Sequence, residues 1–284
     1  MRTRLLAFIC LMPSLNLSPA LAADTQKSYS FGVVPQQSAM VLAKNWLPIL
    51  EHIQQQTGIE LRFQTKRSIP EFEQQVFEQN YDFAYMNPYH YTVFHDSSNY
   101  EAFLKQSNKK LVGILVTHKD SDIHQLADLK EQALAFPAPA AFAATVIPQA
   151  NLKALQIPFT SQYVSSHESV YKNIAYGNFV AGGGIERTFN NSAPEIRDQL
   201  RIFWRSEGYT PHAFAASPRV DKDDIIKIQQ AFLSLNDTEQ GRALLNRLKF
   251  KKIEAAMDSD WDDIRALNIR QLDKFVPQHL QNVP

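Results

Sequence analysis

The chain has 284 residues, of which 44% are hydrophobic, with 29 basic and 29 acidic side chains and a single cysteine. This length and apolar content suffice for one large core or two of ordinary size, which excludes the disordered, collagen-like and disulfide-scaffold classes. Because the net charge is zero, the basic surplus that a nucleic-acid backbone requires is missing, and nucleic acid is excluded as the principal ligand. A small anion remains compatible with a neutral chain.

The first 22 residues have the composition of a secretory signal peptide. A basic start at 1–4 precedes a mostly apolar stretch at 5–17, and the Ala-Leu-Ala sequence at 20–22 is typical of a cleavage site. The segment is too short and too interrupted by proline for a membrane-spanning helix. Cleavage near residue 22 would leave 27 basic and 29 acidic side chains and would remove Cys10, the single cysteine. We therefore predict an exported, periplasmic protein without thiols, disulfides or cysteine-bound metals.

Strand and helix patterns alternate in the first part of the chain. Apolar residues recur at helical spacing from residue 39 until Gly58, and Ser68-Ile-Pro-Glu71 has the spacing of a capping box with an early proline. Short apolar and aromatic runs between these helices predict strands. Strands are predicted at 28–34, 60–64, 81–85 and 111–117, and helices at 39–57 and 68–80.

The next part of the chain repeats this alternation, and the C-terminal part is predicted to be helical. Together the patterns predict two α/β lobes of roughly 100 residues each, followed by a helical segment. Strands are predicted at 133–136, 162–164, 179–181 and 200–204, and helices at 140–155, at 168–176 and beyond residue 221.

The familiar catalytic signatures are absent from the sequence. It contains no nucleophile elbow, no phosphate-binding loop, no dinucleotide fingerprint and no zinc-protease motif. His90 and His95 are five residues apart and would not share a helix face, and the neighbours Ser166, His167 and Glu168 cannot converge on one atom. We therefore predict no enzyme activity, no metal and no cofactor. An exported hydrolase dependent on His167 or His212 is the alternative.

Three helices are predicted to begin directly after strands, at 33–38, 136–142 and 164–168. In an open α/β sheet, such junctions lie beside the crevice at the carboxyl ends of the strands, and their N–H groups suit an anion. Ser38 and Ser165 are equally compatible with simple helix caps. The three junctions together favour a ligand cleft.

Two further clusters permit both a structural and a functional interpretation. The residues from Tyr85 to Tyr91 are rich in aromatic and amide groups; they either pack in a core or place Tyr85, Asn87 and Tyr89 in a pocket wall. The three consecutive glycines at 182–184 indicate either close approach by a ligand or a second chain segment, or a flexible hinge.

Several segments, taken in order, resemble one known family. From about residue 29 to 220 the chain is similar to the phosphate/phosphite/phosphonate solute-binding proteins of ABC importers. The segments that carry the resemblance are Gly32-Val-Val-Pro35, the helix with Trp46 and Pro48, the Tyr-Asp-Phe-Ala-Tyr-Met-Asn-Pro stretch at 81–88, residues 129–137, Ser166-His-Glu-Ser-Val170 and Ala181-Gly-Gly-Gly184.

The resemblance implies a fold and a division of the chain. The expected fold is the α/β type II periplasmic binding protein fold, in which two lobes, each a mixed sheet flanked by helices, are joined by two crossovers and close on a small ligand in the cleft between them. Lobe one would comprise residues 24–115 plus 213–284, and lobe two would comprise residues 116–212.

The resemblance also implies where the ligand binds. It would contact the turn before the first long helix, the end of the third strand, the helix start at 139–143 and the start of the helix at His167. With Tyr89 and the glycine run added from the patterns above, the candidate ligand-binding residues are Gln36, Ser38, Tyr85, Asn87, Tyr89, Ala141, Phe142, His167, Ser169 and Gly183.

This chain departs from the family pattern at residues 140–144. Phosphonate binders of the family have a Ser-Thr-Ser-Gly run there, whose hydroxyls bind the oxyanion, whereas this chain has Ala-Ala-Phe-Ala-Ala. Each lost charge-assisted hydrogen bond is worth about 1.5–3 kcal/mol. The acidic residue that holds an aminoalkyl group in those relatives has no evident equivalent near residues 182–184. The ligand is then another small oxyanion, or a less charged compound held by Tyr85, Asn87 and His167.

We predict a monomeric, periplasmic solute-binding component of an ABC importer. It would capture a small anionic ligand such as phosphate, phosphite or a phosphonate by lobe closure and deliver it to a permease in the inner membrane. The alternative is a periplasmic ligand-sensing protein that signals to a membrane receptor or kinase, since both functions need only two lobe arrangements with different ligand affinities. The ligand of such a sensor need not contain phosphorus.

Overall fold

The computed structural model describes residues 27–275. The predicted signal peptide at 1–22, its cleavage site and Cys10 lie outside this range. Between residues 27 and 275, no helix combines the length and the apolar character needed to cross a lipid bilayer.

The described residues form eleven strands, which are divided between two sheets. Their bounds are β1 (Ser28–Val33), β2 (Glu60–Gln64), β3 (Phe83–Met86), β4 (Glu101–Gln106), β5 (Leu111–His118), β6 (Gln132–Phe136), β7 (Phe159–Tyr163), β8 (Ala181–Ile185), β9 (Leu200–Tyr209), β10 (Ala213–Ala216) and β11 (Ile253–Ala255).

Both sheets contain parallel and antiparallel pairs. The strand order of the first sheet is β11-β4-β10-β3-β1-β2, and that of the second is β7-β6-β8-β5-β9. In the first sheet β1 runs parallel to β2 and β3, whereas β10 is antiparallel to β3 and β4. In the second, β6 runs parallel to β7 and β8, and β5 is antiparallel to β8 and β9. The predicted pair of mixed α/β sheets is confirmed.

The chain passes between the two sheets twice. The first passage lies between β4 and β5, and the second lies between β9 and β10. The boundary predicted at residues 115 and 116 falls inside β5, which pairs along its whole length within the second sheet, from Leu111 opposite Tyr209 to His118 opposite Leu200. Strand pairing therefore puts the first passage at residues 107–110.

Helices cover both sheets, and three of them, at residues 88–98, 186–190 and 194–197, lie where no sequence pattern predicted a helix. The longest of the three begins at Pro88 and ends at Ser98, and seven consecutive residues in it are buried, so it lacks the polar face on which a helical pattern depends. The helices are α1 (Ala39–Thr57), α2 (Ile69–Phe77), α3 (Pro88–Ser98), α4 (Ile147–Ala154), α5 (His167–Ala175), α6 (Glu186–Asn190), α7 (Pro194–Arg197), α8 (Lys222–Ser234), α9 (Glu239–Arg247) and α10 (Asp262–Arg265).

The predicted helix α1 ends where the sequence indicated, and it tolerates an internal proline. Gly58 adopts a left-handed φ of 73° and its N–H donates to the carbonyl of Gln54, which is a conformation that glycine adopts at little cost. Pro48 has no N–H to donate to the carbonyl of Lys44 one turn earlier. That carbonyl instead accepts a hydrogen bond of 2.8 Å from the guanidinium of Arg247.

An aromatic core fixes the first sheet behind the cleft. Trp46 of α1 packs against Phe31 of β1 and Tyr85 of β3, with ring centroids 5.4 and 4.8 Å apart, and Phe214 of β10 lies 5.0 Å from Tyr85. Burying each such side chain contributes about 1.5–3 kcal/mol. Tyr85 is therefore held rigidly at the edge of the cleft.

The three glycines at 182–184 lie inside strand β8 and do not follow it. They are buried, and each is approached closely by another part of the chain: a Cβ on Gly182 would lie 2.5 Å from the carbonyl oxygen of Ala135, and one on Gly183 would overlap that of Ala144. Close approach by a second chain segment is therefore the correct interpretation, and the interpretation as a hinge is wrong.

Candidate functional site

A small buried cavity lies between the two sheets, at the ends of several strands and helices. Its volume is about 10 Å³, which is the room that a single water requires. The lining is contributed by both lobes. It consists of Val34, Gln36, Ile69, Asn87, Leu111, Ala141, Phe142, Ala143, Ala144, His167, Ile185 and His212.

Asn87 connects the two lobes through its side-chain amide. It caps helix α3, because its Oδ1 accepts a hydrogen bond of 2.8 Å from the backbone N–H of His90. Its Nδ2 donates to the backbone carbonyl of Ala140 at 3.2 Å, across the cleft. A residue that caps a helix in one lobe thus also binds the start of a helix in the other.

Gln36 has a fixed amide orientation. Its Oε1 accepts a hydrogen bond from the guanidinium of Arg187, and its Nε2 lies 2.9 Å from Nε2 of His212. An amide NH₂ only donates, so Nε2 of His212 is the acceptor and the proton of this neutral imidazole resides on Nδ1. The three side chains form a continuous chain of hydrogen bonds at the base of the cleft.

Arg187 places a positive charge beside this cavity. It lies in α6, directly after β8, and its guanidinium carbon is 5.8 Å from the ring centroid of Tyr85 and 5.9 Å from that of Phe250. Tyr85 is also stacked on His212, with centroids 5.1 Å apart and planes at 15°. Among residues 27–275, no carboxylate forms an ion pair with Arg187. The charge is therefore balanced only by aromatic faces and one amide oxygen.

Both histidines in the cavity wall are neutral at ordinary pH. Burial and the nearby charge of Arg187 lower the pKa of His167 to about 3, and the same two causes hold the pKa of His212 well below its usual value. Burial also raises the pKa of Tyr85. Arg187 is therefore the charged residue of this site, and the neighbouring side chains of His167, His212 and Tyr85 are all neutral.

His167 is oriented by its neighbours at the start of α5. Its Nδ1 lies 3.1 Å from Oγ1 of Thr188, and its backbone N–H donates to the carbonyl of Gln36 at 3.1 Å, again across the cleft. Its Nε2 has no hydrogen-bond partner in the part of the chain that the structure describes. The imidazole therefore presents one free ring nitrogen beside the cavity.

A wider, solvent-exposed pocket of about 670 Å³ lies at the outer edge of the cleft, next to the starts of α1 and α5. There the backbone N–H of Ser38 donates to Glu168 at 2.8 Å, and Lys172 pairs with the same carboxylate at 2.7 Å. Burial alone would raise the pKa of Glu168, but these two contacts outweigh it and lower the pKa. Ser38 and Ser169 line this outer pocket and do not line the inner cavity.

The structure brings together about half of the predicted ligand-binding residues. Gln36, Asn87, Ala141, Phe142 and His167 line the inner cavity, and Tyr85 lines a cavity beside it.

The other predicted residues lie elsewhere. Ser38 and Ser169 line the outer pocket, and Gly183 packs beneath Ala144. The hydroxyl of Tyr89 accepts from the N–H of Leu272 at 2.9 Å and donates to the carbonyl of Ile269, so it faces the C-terminal segment.

The sequence patterns did not indicate Arg187, and they suggested His212 only as a hydrolase residue. Arg187 is one of 29 basic residues and belongs to no motif, so no local signal could have identified it. Its position follows from the contact between the two lobes, which brings the start of α6 beside Tyr85 of β3 and Gln36 after β1. Within residues 27–275, no group of three or more His, Cys, Asp or Glu side chains could hold a metal ion.

Comparison with protein families gives a match over most of the chain. The family described as ABC transporter, phosphonate, periplasmic substrate-binding protein matches residues 31–261. The chain belongs to this family. Its members are periplasmic components of transport systems that bind substrates, so the family resemblance predicted above is confirmed.

Individual relatives are distant in sequence. The phosphonates-binding periplasmic protein of Escherichia coli (strain K12) is 23% identical over 279 residues, covering 92% of this chain and 80% of the relative. A binding protein component of an ABC phosphonate transporter from Pseudomonas aeruginosa has a TM-score of 0.77 at 19% identity, covering 86% of each chain. A protein from Prochlorococcus marinus (MIT 9301) in complex with methylphosphonate has a TM-score of 0.78 at 17% identity, covering 88% of this chain and 99% of that one. These structures confirm the type II periplasmic binding protein fold.

Proposed function

We propose that this protein captures a small phosphonate or a closely related oxyanion, such as phosphite or phosphate, between its two lobes and delivers it to an ABC permease. The observation that carries the proposal is the guanidinium of Arg187, which lies at the cleft without a carboxylate partner among the described residues. A buried or half-buried cation without a counter-ion is costly, and an anionic ligand would supply the missing charge.

The neutral groups around the cavity also suit an oxyanion. The amides of Gln36 and Asn87 and the free ring nitrogen of His167 are polar groups that can reorient towards phosphonate oxygens. Residues 140–144 offer no hydroxyl, but the first N–H groups of the helical segment that begins at Phe142 have no intrahelical acceptor. In this interpretation Arg187 compensates for the hydroxyl donors that are absent here.

Lobe closure is part of the proposal, with a division of the chain that follows strand pairing. Lobe one would extend to residue 106 and resume at residue 213, and lobe two would comprise the second sheet with its helices. Four of the hydrogen bonds described above cross the cleft: Arg187 to Gln36, Asn87 to Ala140, His167 to Gln36, and Ser38 to Glu168. Because the inner cavity has room for about one water in this arrangement, a bound anion would displace side chains that line it, while its contacts with both lobes would hold the lobes together. We further propose that the protein acts as a monomer, without catalysis.

Binding of methylphosphonate, phosphite, phosphate and sulfate, measured by calorimetry, tests this proposal. We expect at least one phosphorus oxyanion to bind, and we expect Arg187→Gln to weaken that binding roughly ten- to a hundredfold, because a charge-assisted hydrogen bond contributes about 1.5–3 kcal/mol. Arg197→Gln is the matched control, since Arg197 pairs with Asp198 at the surface and lines neither cavity. Unchanged binding by the Arg187 variant, or binding of neutral solutes alone, would contradict the proposal.

A further inference from the structure

A second cavity adjoins the inner one and is surrounded by basic side chains. We call it the lysine cavity, defined by Lys109, Lys110, Lys249 and Arg187. It shares Leu111, Ile185 and His212 with the lining of the inner cavity, and its volume is about 120 Å³ against about 10 Å³ for the inner one. The two cavities are therefore neighbours, since three residues line both of them.

The charge of the lysine cavity is strongly unbalanced. Lys109 and Lys249 form no ion pair with any residue in the range 27–275. Lys110 is the exception, because it forms one ion pair, with Asp263 at 3.8 Å.

The acidic residue in the cavity wall does not restore the balance. Glu186 is paired with Arg205 at 2.7 Å, so its charge is already neutralised. Three cations without an ion pair among the described residues (Lys109, Lys249 and Arg187), together with Lys110, consequently surround a concave space beside the proposed binding site.

Isolated exposed lysines usually serve only to keep a surface solvated. Here they come from three separate segments, the passage between β4 and β5, the residues after α9, and α6. The lining of this space also includes the aromatic ring of Tyr85. An apolar linker could lie against this ring while a charged group extends towards the lysines.

We propose that the preferred ligand carries a second anionic group, which extends from the phosphonate into the lysine cavity. The ligand class is then a small phosphonate with a carboxylate, as in phosphonoacetate. This inference rests on the proposed function of the inner cavity. It also excludes the aminoalkyl class, because an ammonium group among four cations would be repelled.

Calorimetric titration of the full protein with three probes tests the inference. The probes are phosphonoacetate, methylphosphonate and 2-aminoethylphosphonate, each at low and at high ionic strength. We expect phosphonoacetate to bind roughly tenfold more tightly than methylphosphonate, as two or three partly exposed ion pairs would give, and this preference to decrease with salt. We expect 2-aminoethylphosphonate to bind most weakly.

Paired substitutions separate the inference from the proposed function. Lys109→Gln with Lys249→Gln is expected to remove most of the preference for phosphonoacetate and to change the affinity for methylphosphonate less than about twofold. Lys153→Gln, on the exposed side of α4, is the control and should change neither. If phosphonoacetate binds no better than methylphosphonate, or if the double variant keeps the preference, the inference is wrong and the proposed function stands. If no phosphonate binds, the proposed function fails as well.

Discussion

At the scale of single residues, the side-chain amide of Asn87 forms two hydrogen bonds, one within its own lobe and one to the other lobe. Its carbonyl oxygen caps α3, and its amide nitrogen binds the carbonyl of Ala140 in the other lobe. Serine can provide a helix cap but lacks the second group, whereas alanine provides neither. The two substitutions therefore distinguish the contribution of the cap from that of the bond across the cleft.

We expect Asn87→Ala to lower the free energy of unfolding by about 1 kcal/mol through loss of the cap, and Asn87→Ser to lower it much less. Both variants should bind methylphosphonate more weakly than the unaltered protein, since both lack the amide donor. Urea unfolding without ligand, followed by calorimetry, measures the two effects separately. Equal stability of both variants would show that the cap contributes little, and full affinity in Asn87→Ser would remove the amide from the site.

Residue patterns in the sequence indicated neutral residues of the candidate site, but they did not indicate its charged residue, Arg187. Asn87 and His167 could be predicted because each lies where a strand ends or a helix begins, and such junctions leave a local signal. Arg187 contacts Gln36, which is 151 positions earlier in the chain. That contact depends on how the segment after β8 in one lobe comes to lie beside the segment after β1 in the other, and no local pattern in the sequence indicates it.

At the scale of elements, strand β8 and the helical turn at Phe142–Val146 require each other. The carbonyls of Ala143 and Ala144 lie directly over Gly113 in β5 and Gly183 in β8, at distances that leave no room for a side chain. The alanine run and the glycine run, which sequence reasoning treated as separate features, thus form one close contact. It seats the start of the helix on the sheet beside the cleft.

Gly183→Ala is expected to destabilise the protein by about 3 kcal/mol in the absence of any ligand, because the added methyl would overlap the carbonyl of Ala144. Gly177→Ala is the matched control: its φ of 75° costs about 1 kcal/mol for alanine, but no atom lies within 4 Å of the added carbon. Chemical unfolding of both variants gives the comparison. If Gly183→Ala lowers the free energy of unfolding no more than the control does, the contact with Ala144 is loose. Gly183 could then contact a ligand.

The sequence did not predict helix α3, because its residues are buried on every face. Helix α3 has buried residues from Pro88 to Phe94 on every face, so its sequence has no polar period, although Asn87 and Pro88 are a typical helix start. The short strands β10 and β11 were missed for a related reason, since four and three residues are too few to show alternation. Helix α1, with one buried face and a terminal glycine, was predicted correctly.

At the scale of the whole molecule, a neutral chain contains a locally basic cleft. The 29 basic and 29 acidic residues cancel in number, yet Arg187 and the three lysines of the neighbouring cavity lie together at the junction of the lobes. The neutral composition excludes an extended polyanion as the ligand. It could not locate this cluster of cations, because the four side chains come from three separate segments. Only the folded arrangement of the two lobes brings these segments together. In the proposed closure, the lobes would move about the two passages of the chain between the sheets.

Lobe movement can be measured with spin labels, since the one cysteine of the chain lies at position 10, outside the described residues. In a Cys10→Ser background, labels at Met40→Cys and Tyr163→Cys would report on opposite lobes, because both side chains are exposed and lie at the start of α1 and the end of β7. We expect a broad distance distribution without ligand and a narrower, shorter one with saturating methylphosphonate. The ligand would favour the arrangement in which Ser38 bonds to Glu168 and His167 to Gln36.

The control pair for this measurement is Tyr163→Cys with Tyr176→Cys, both in the second lobe and both exposed. Its distance should not respond to the ligand, because strand pairing within one sheet is unaffected by movement of one lobe against the other. A ligand that binds by calorimetry but leaves the distribution of the first pair unchanged would mean that capture occurs without closure. The bonds across the cleft would then be permanent contacts of one rigid body, and a permease could not sense occupancy through the relative position of the lobes.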